Sequence, residues 1–184
     1  MAFYHCSPTA GLTLLRPGKP LFSEKPSMVY MTTLYPMALM YGIQNYEYTY
    51  GYTREGQIYL DEYFPDALAV LYRGKSASMY LCSPEKTNPT RIPNEAVSPD
   101  SVLILREERI PDVYQALLEQ ERLGALVIRR YFALPRETKD WIRKVEADTI
   151  RQNLLLHTPG PMADYYRTHY PESWEMVEKE SSPT

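Results

Sequence analysis

The fold of this chain is decided by residues 27–41, SMVYMTTLYPMALMY, because two different hydrophobic patterns follow each other there. Ser27 to Thr32 is a short apolar run with valine, tyrosine and threonine, which predicts a buried strand. The segment from Pro36 to Tyr41 follows a Thr–Thr pair, and threonine is favoured at the N-cap of a helix. The stretch therefore predicts a strand, a turn and a short helix.

Similar patterns on either side of this unit predict an α+β fold. Apolar runs predict strands at 3–5, 77–82, 102–105 and 125–128. Helical spacing predicts one turn at 12–15 and helices at 61–72, 112–123, 138–156 and 162–179. Tyrosine occupies every second position from Tyr46 to Tyr52, which is the period of a strand with one aromatic face. We expect this face to cover a bound ligand or to receive a second substrate.

Composition limits the class of protein. The 184 residues predict one domain, with 1–132 as its core and 133–184 as a helical extension packed on that core. The formal net charge of −3 gives no bulk attraction to nucleic acid or to an anionic bilayer. Only two cysteines are present, Cys6 and Cys82, which predicts free thiols and a cytoplasmic protein. We expect no signal peptide, no membrane span and no metal site.

Three short motifs carry the candidate chemistry. The first strand contains His5 and, two positions later, Ser7; the second contains Val29-Tyr30; and Asn94-Glu95-Ala96-Val97 enters a later strand. Another tyrosine, Tyr41, lies eleven positions after Tyr30 in the following helix. The order and spacing resemble the His-Tyr-Glu signature of the diphtheria-toxin and poly(ADP-ribose) polymerase class of ADP-ribosyltransferases. The resemblance covers roughly the first hundred residues, and its specificity comes from order and spacing together.

The resemblance implies a split, mostly antiparallel two-sheet core with NAD in the cleft. Cleavage of the bond between nicotinamide and ribose passes through an oxocarbenium-like state, which a carboxylate can stabilise, and we assign that role to Glu95. Tyr30 and Tyr41 would hold the cationic nicotinamide ring between their faces. The catalytic residues are thus predicted to be His5, Tyr30 and Glu95.

The remaining NAD contacts follow from the same resemblance. His5 would bond a ribose hydroxyl, and the backbone of Cys6, next to Ser7, would face the carboxamide. Arg16 and Lys19, in the loop after the first motif, are the candidates for the pyrophosphate. Two positions depart from the polymerase pattern, since Cys6 replaces a glycine and Ala38 replaces a serine whose hydroxyl holds the carboxamide. Affinity for NAD is therefore expected to be weaker, or another group supplies that contact.

The function expected from these residues is mono-ADP-ribosyl transfer from NAD to an unidentified protein or nucleic acid. The stretch 83–93 does not resemble a long acceptor-binding loop, which argues against chain elongation. Two alternatives stay open: an NAD-dependent RNA 2′-phosphotransferase, for which the chain has few basic residues near the motifs, and a noncatalytic NAD or ADP-ribose sensor. Each residue by itself also has an ordinary explanation, since Tyr30 and Tyr41 suit a core and Glu95 suits a solvated loop.

Overall fold

The computed structural model describes residues 2–18, 26–43 and 48–181, except for the side chain of Tyr48. It confirms an α+β class, with a seven-stranded antiparallel sheet and a second sheet of three strands. The strands are β1 Phe3–Ser7, β2 Leu14–Leu15, β3 Val29–Thr32, β4 Tyr48–Tyr52, β5 Ile58–Glu62, β6 Ala77–Cys82, β7 Asn88–Pro89, β8 Glu95–Ser98, β9 Val102–Ile110 and β10 Leu126–Arg129. The helices are α1 Tyr35–Met40, α2 Ala67–Tyr72, α3 Val113–Arg122, α4 Arg136–Gln152, α5 Pro161–His169 and α6 Pro171–Ser181.

The large sheet has the strand order β2-β9-β6-β1-β3-β8-β7, and the small sheet has the order β10-β5-β4. β1 lies in the middle of the large sheet and pairs along its whole length with β6. Its other neighbour is β3, which pairs with β8 on its far side. Three strands that are distant in sequence, β1, β3 and β8, are therefore adjacent in space.

The chain forms two compact units. The first contains the described residues up to 43, with Tyr52–Ile58 and Leu68–Val127, and its large sheet buries Phe3, Val29 and Met31 on one face. The second contains 48–51, Tyr59–Ala67 and the residues from Ile128 onward, with a core of aromatic and aliphatic side chains on α4, α5 and α6. The description of 1–184 as one domain, divided at residue 132, stays a prediction.

Three predicted helices are wrong in ways that have physical reasons. Leu14 and Leu15 form a strand rather than a helical turn, because they pair with β9. The segment that begins at Asp61 starts as strand β5, where the buried Asp61 carboxylate forms an ion pair with Arg129. The predicted helix 162–179 is two helices, because Pro171 has no N–H and begins a new one. Among the described residues, no helix is both long enough and apolar enough to cross a bilayer.

Candidate functional site

His5 lies in the middle of β1 and forms a hydrogen bond to the neighbouring strand through its side chain. Its Nδ1 lies 2.9 Å from the backbone carbonyl oxygen of Tyr30. A carbonyl oxygen can only accept, so Nδ1 carries the proton and, in the neutral ring, Nε2 is an acceptor. Burial lowers the pKa of His5 below its usual value, although the hydrogen bond to Tyr30 opposes the shift. His5 is therefore neutral near pH 7 and can accept a hydrogen bond from a hydroxyl group.

This hydrogen bond lies where β1 and β3 separate. Among the described residues, the register of the two strands consists of the single pair Tyr4–Thr32. The Tyr30 carbonyl points toward β1, and backbone groups two residues apart in a strand point to the same side. By this alternation the N–H and C=O of Cys6 point from β1 toward β3, into the gap. The Cys6 N–H can donate to the oxygen of a carboxamide, and the Cys6 C=O can accept from its nitrogen.

Tyr41 comes directly after α1, which packs against β1 and β3. A methyl group placed on Gly42 would come within 2.7 Å of the Cys6 Sγ, so the backbone after Tyr41 lies against β1 at Cys6. The Thr32 hydroxyl bonds the sulfur of Met37 in α1 at 3.2 Å, which identifies the face of β3 that α1 covers. Tyr30 lies two residues from Thr32 and shares that face. The structure therefore brings the two predicted tyrosines to the same side of the sheet.

Glu95 is the first residue of β8 and lies opposite Thr32 of β3. In this register Tyr30 lies opposite Val97, so Glu95 and Tyr30 are diagonal neighbours on one face, at a spacing of about 7–8 Å. The Glu95 Oε1 accepts a hydrogen bond from the Thr90 hydroxyl at 2.8 Å. That bond orients the carboxylate. It depends on the pairing of β7 with β8, so no local sequence pattern predicts it.

Asn94, before Glu95, adopts a left-handed backbone conformation with φ 64°. Its carbonyl accepts from the Thr33 N–H at 3.0 Å, which joins this turn to the end of β3. The hydroxyl of Tyr52, the last tyrosine of β4, donates to the Pro93 carbonyl at 2.7 Å and accepts from the Asn94 side chain at 3.4 Å. Tyr52 therefore contacts the turn that presents Glu95. Tyr46 and the side chain of Tyr48 are outside the described residues.

The other predicted NAD contacts are Ser7, at the end of β1, and Arg16. The Ser7 hydroxyl accepts from the Thr9 N–H at 3.1 Å, which leaves its own O–H as a donor. Arg16 follows β2 and is exposed, and β9 and β6 separate β2 from β1 in the sheet. The chain then returns toward β3, because Gly18 and Met28 form a β-bridge with two hydrogen bonds of 3.1 Å. Arg16 thus lies between β2 and this bridge, and Lys19 is outside the described residues.

The residues around the gap offer a hydrogen-bond acceptor, a carboxylate and partly exposed aromatic rings. Burial raises the pKa of the Cys6 thiol to about 12, so its side chain is not a nucleophile at neutral pH. The contribution of Cys6 is therefore its backbone. This chain matches no protein-family model, no curated protein and no solved structure.

Proposed function

We propose that this protein is a mono-ADP-ribosyltransferase with a split-sheet core of the ADP-ribosyltransferase type. It transfers ADP-ribose from NAD to a macromolecular acceptor, protein or nucleic acid, and releases nicotinamide. One observation carries the proposal: Tyr30 lies on β3, the strand between those of the other two predicted catalytic residues, His5 on β1 and Glu95 on β8. Its carbonyl holds the imidazole of His5 at 2.9 Å, and its side chain shares a sheet face with Glu95.

Binding of NAD would use the gap between β1 and β3. The nicotinamide ring lies between Tyr30 and Tyr41, where two aromatic faces attract a flat cation. The carboxamide bonds the backbone N–H and C=O of Cys6. This pair of bonds supplies the contact that Ala38, which has no hydroxyl, does not make. His5 accepts a hydrogen bond from a ribose hydroxyl at Nε2, because Nδ1 is already committed to Tyr30.

The chemical step breaks the bond between C1′ of the ribose and the nicotinamide nitrogen. The bonding electron pair leaves with nicotinamide, whose ring becomes neutral, and positive charge develops on the ribose. Glu95 lies beside the ring-binding tyrosine, where its carboxylate would stabilise that charge. A nucleophile of the acceptor then forms a bond to C1′ and loses a proton, which the same carboxylate would accept.

Two substitutions test the proposal, because they should fail in different ways. Tyr30→Ala removes one face of the ring site, so the affinity for NAD should fall by about 1–3 kcal/mol. Glu95→Gln keeps the shape of the side chain but removes its charge. It should spare NAD binding and lower turnover by roughly a hundredfold. Calorimetry would measure the binding, and release of nicotinamide would measure the turnover.

Matched substitutions elsewhere in the same unit provide controls. Tyr114→Ala and Glu119→Gln, both on α3, make the same chemical changes at residues outside the proposed site, and neither should alter binding or turnover. If Glu95→Gln released nicotinamide at the wild-type rate, Glu95 would no longer be the catalytic carboxylate. If the wild-type protein bound NAD and released none, the noncatalytic NAD sensor would replace the enzyme as the better explanation.

A further inference from the structure

We propose that Glu107 and Tyr80 are positioning residues for the segment 8–12, which follows Ser7, and that they hold it in the shape that NAD binding requires. This inference rests on the proposed function, since segment 8–12 continues directly from His5, Cys6 and Ser7. Neither residue would contact the reacting atoms. They would act through the backbone that leaves β1.

Glu107 lies on β9, and its carboxylate bonds the segment directly. Its Oε1 accepts from the Gly11 N–H at 3.1 Å and from the Ser78 hydroxyl at 2.7 Å. The guanidinium of Arg109 lies 2.8 Å from the same oxygen. The hydrogen bond from Ser78, with the one from Gly11, lowers the pKa of Glu107, so the carboxylate is ionised at neutral pH. One charged oxygen thus joins two strands to segment 8–12.

Tyr80 also bonds segment 8–12, through its hydroxyl. It is fully buried on β6, directly opposite His5 in the register. Its hydroxyl donates to the Thr9 carbonyl at 2.7 Å and accepts from the Leu12 N–H at 3.2 Å. Segment 8–12 is therefore fixed at three residues by side chains from two neighbouring strands.

The positions of these hydrogen bonds predict that they affect NAD binding rather than the turnover of bound NAD. They end at Thr9, Gly11 and Leu12, so their loss would disturb the chain that leaves Ser7. Glu95 lies on the other side of β3, where Thr90 orients it independently. Loss of Glu107 or Tyr80 contacts should therefore weaken NAD binding and leave the rate of the bound complex nearly unchanged.

The adjacent Glu108 provides a matched control. It follows Glu107 on the same strand, so its side chain lies on the opposite face of the sheet. There it accepts a hydrogen bond from the Tyr35 hydroxyl at 3.2 Å. Glu108→Ala removes the same number of atoms and the same charge from β9 without touching segment 8–12.

The experiment measures the Kd for NAD and the turnover of bound NAD in Glu107→Ala, Glu107→Gln, Tyr80→Phe and Glu108→Ala. Glu107→Ala should raise the Kd about tenfold, as expected for the loss of hydrogen bonds to a charged group, with turnover within about twofold of wild type. Glu107→Gln keeps an acceptor oxygen and should recover most of the affinity. Tyr80→Phe is isosteric in the core and should weaken binding without unfolding the protein.

Hydrogen exchange gives a readout that does not need NAD. The amides of Gly11 and Leu12 should exchange faster in Glu107→Ala and in Tyr80→Phe respectively, and neither should change in Glu108→Ala. Wild-type affinity in Glu107→Ala, or equal exchange rates of the Gly11 amide in Glu107→Ala and Glu108→Ala, would overturn this inference alone. A wild-type protein that binds no NAD would overturn it together with the proposed function.

Discussion

Substitutions of Asn94 distinguish two contributions to the stability of the Glu95 turn, that of its left-handed backbone and that of the Asn94 side-chain hydrogen bonds. Asn94 has φ 64°, and a residue with a Cβ pays about 1–2 kcal/mol there, which asparagine partly recovers by local hydrogen bonding. Its side chain bonds Thr33 at 3.3 Å and Tyr52 at 3.4 Å, two long and exposed contacts that together contribute about 1 kcal/mol. Asn94→Ala loses that partial recovery and both bonds, and should lower the free energy of unfolding by about 2 kcal/mol.

Asn94→Gly loses the side-chain bonds but accepts the left-handed conformation, so it should cost only about 1 kcal/mol. Urea unfolding of the two variants measures this difference, and nicotinamide release shows whether Glu95 keeps its place. Turnover should fall further in the alanine variant than in the glycine variant. Asn88→Ala, in the β7 strand of the same hairpin, is the control and should change little. Equal unfolding energies for Asn94→Ala and Asn94→Gly would refute the assignment of backbone strain at this turn.

Two further predictions follow from buried ionisable groups. The pKa of His5 is lowered in the folded protein, so its contribution to stability and to NAD binding should be complete above pH 6.5 and should be lost as the pH falls below that value. A titration of NAD affinity from pH 8 to 5 tests this, and a loss centred above pH 6.5 would contradict it. Burial also raises the pKa of Cys6 to about 12 and that of Cys82 to about 11, so a thiol reagent at pH 8 should modify both only after unfolding. Rapid labelling of the native protein would contradict the burial of the two thiols.

Much of the secondary structure could be predicted because local signals and burial agree. The helix α3 is one example, since Asp112 caps it by accepting from the Gln115 N–H and Gly124 follows it with φ 73°. The errors arise where distant contacts decide the outcome. Leu14 and Leu15 have the spacing of a helical turn, but their pairing with β9 makes them a strand.

The same distinction between local signals and distant contacts applies to the candidate site. The segment from Tyr30 to Tyr41 spans one strand, one turn and one helix, so the position of both tyrosines on one side of the sheet could be predicted from local sequence. The orientation of Glu95 by Thr90 could not, because two residues in a Pro- and Asn-rich stretch give no periodic signal. The contact of Glu107 with Gly11 also joins residues that no local pattern relates.

The connection between β1 and β3 explains why a gap can open beside His5. The two strands are antiparallel, so the end of β1 at Ser7 and the start of β3 at Val29 lie at the same end of the pair. A tight turn there would have imposed continuous pairing, as in a hairpin. Instead, the chain leaves β1, pairs β2 with β9 at the far edge of the sheet, and returns at the Gly18–Met28 bridge. Among the described residues of this path, none imposes a β1–β3 ladder beyond Tyr4–Thr32, and the side chain of His5 joins the strands where that ladder stops.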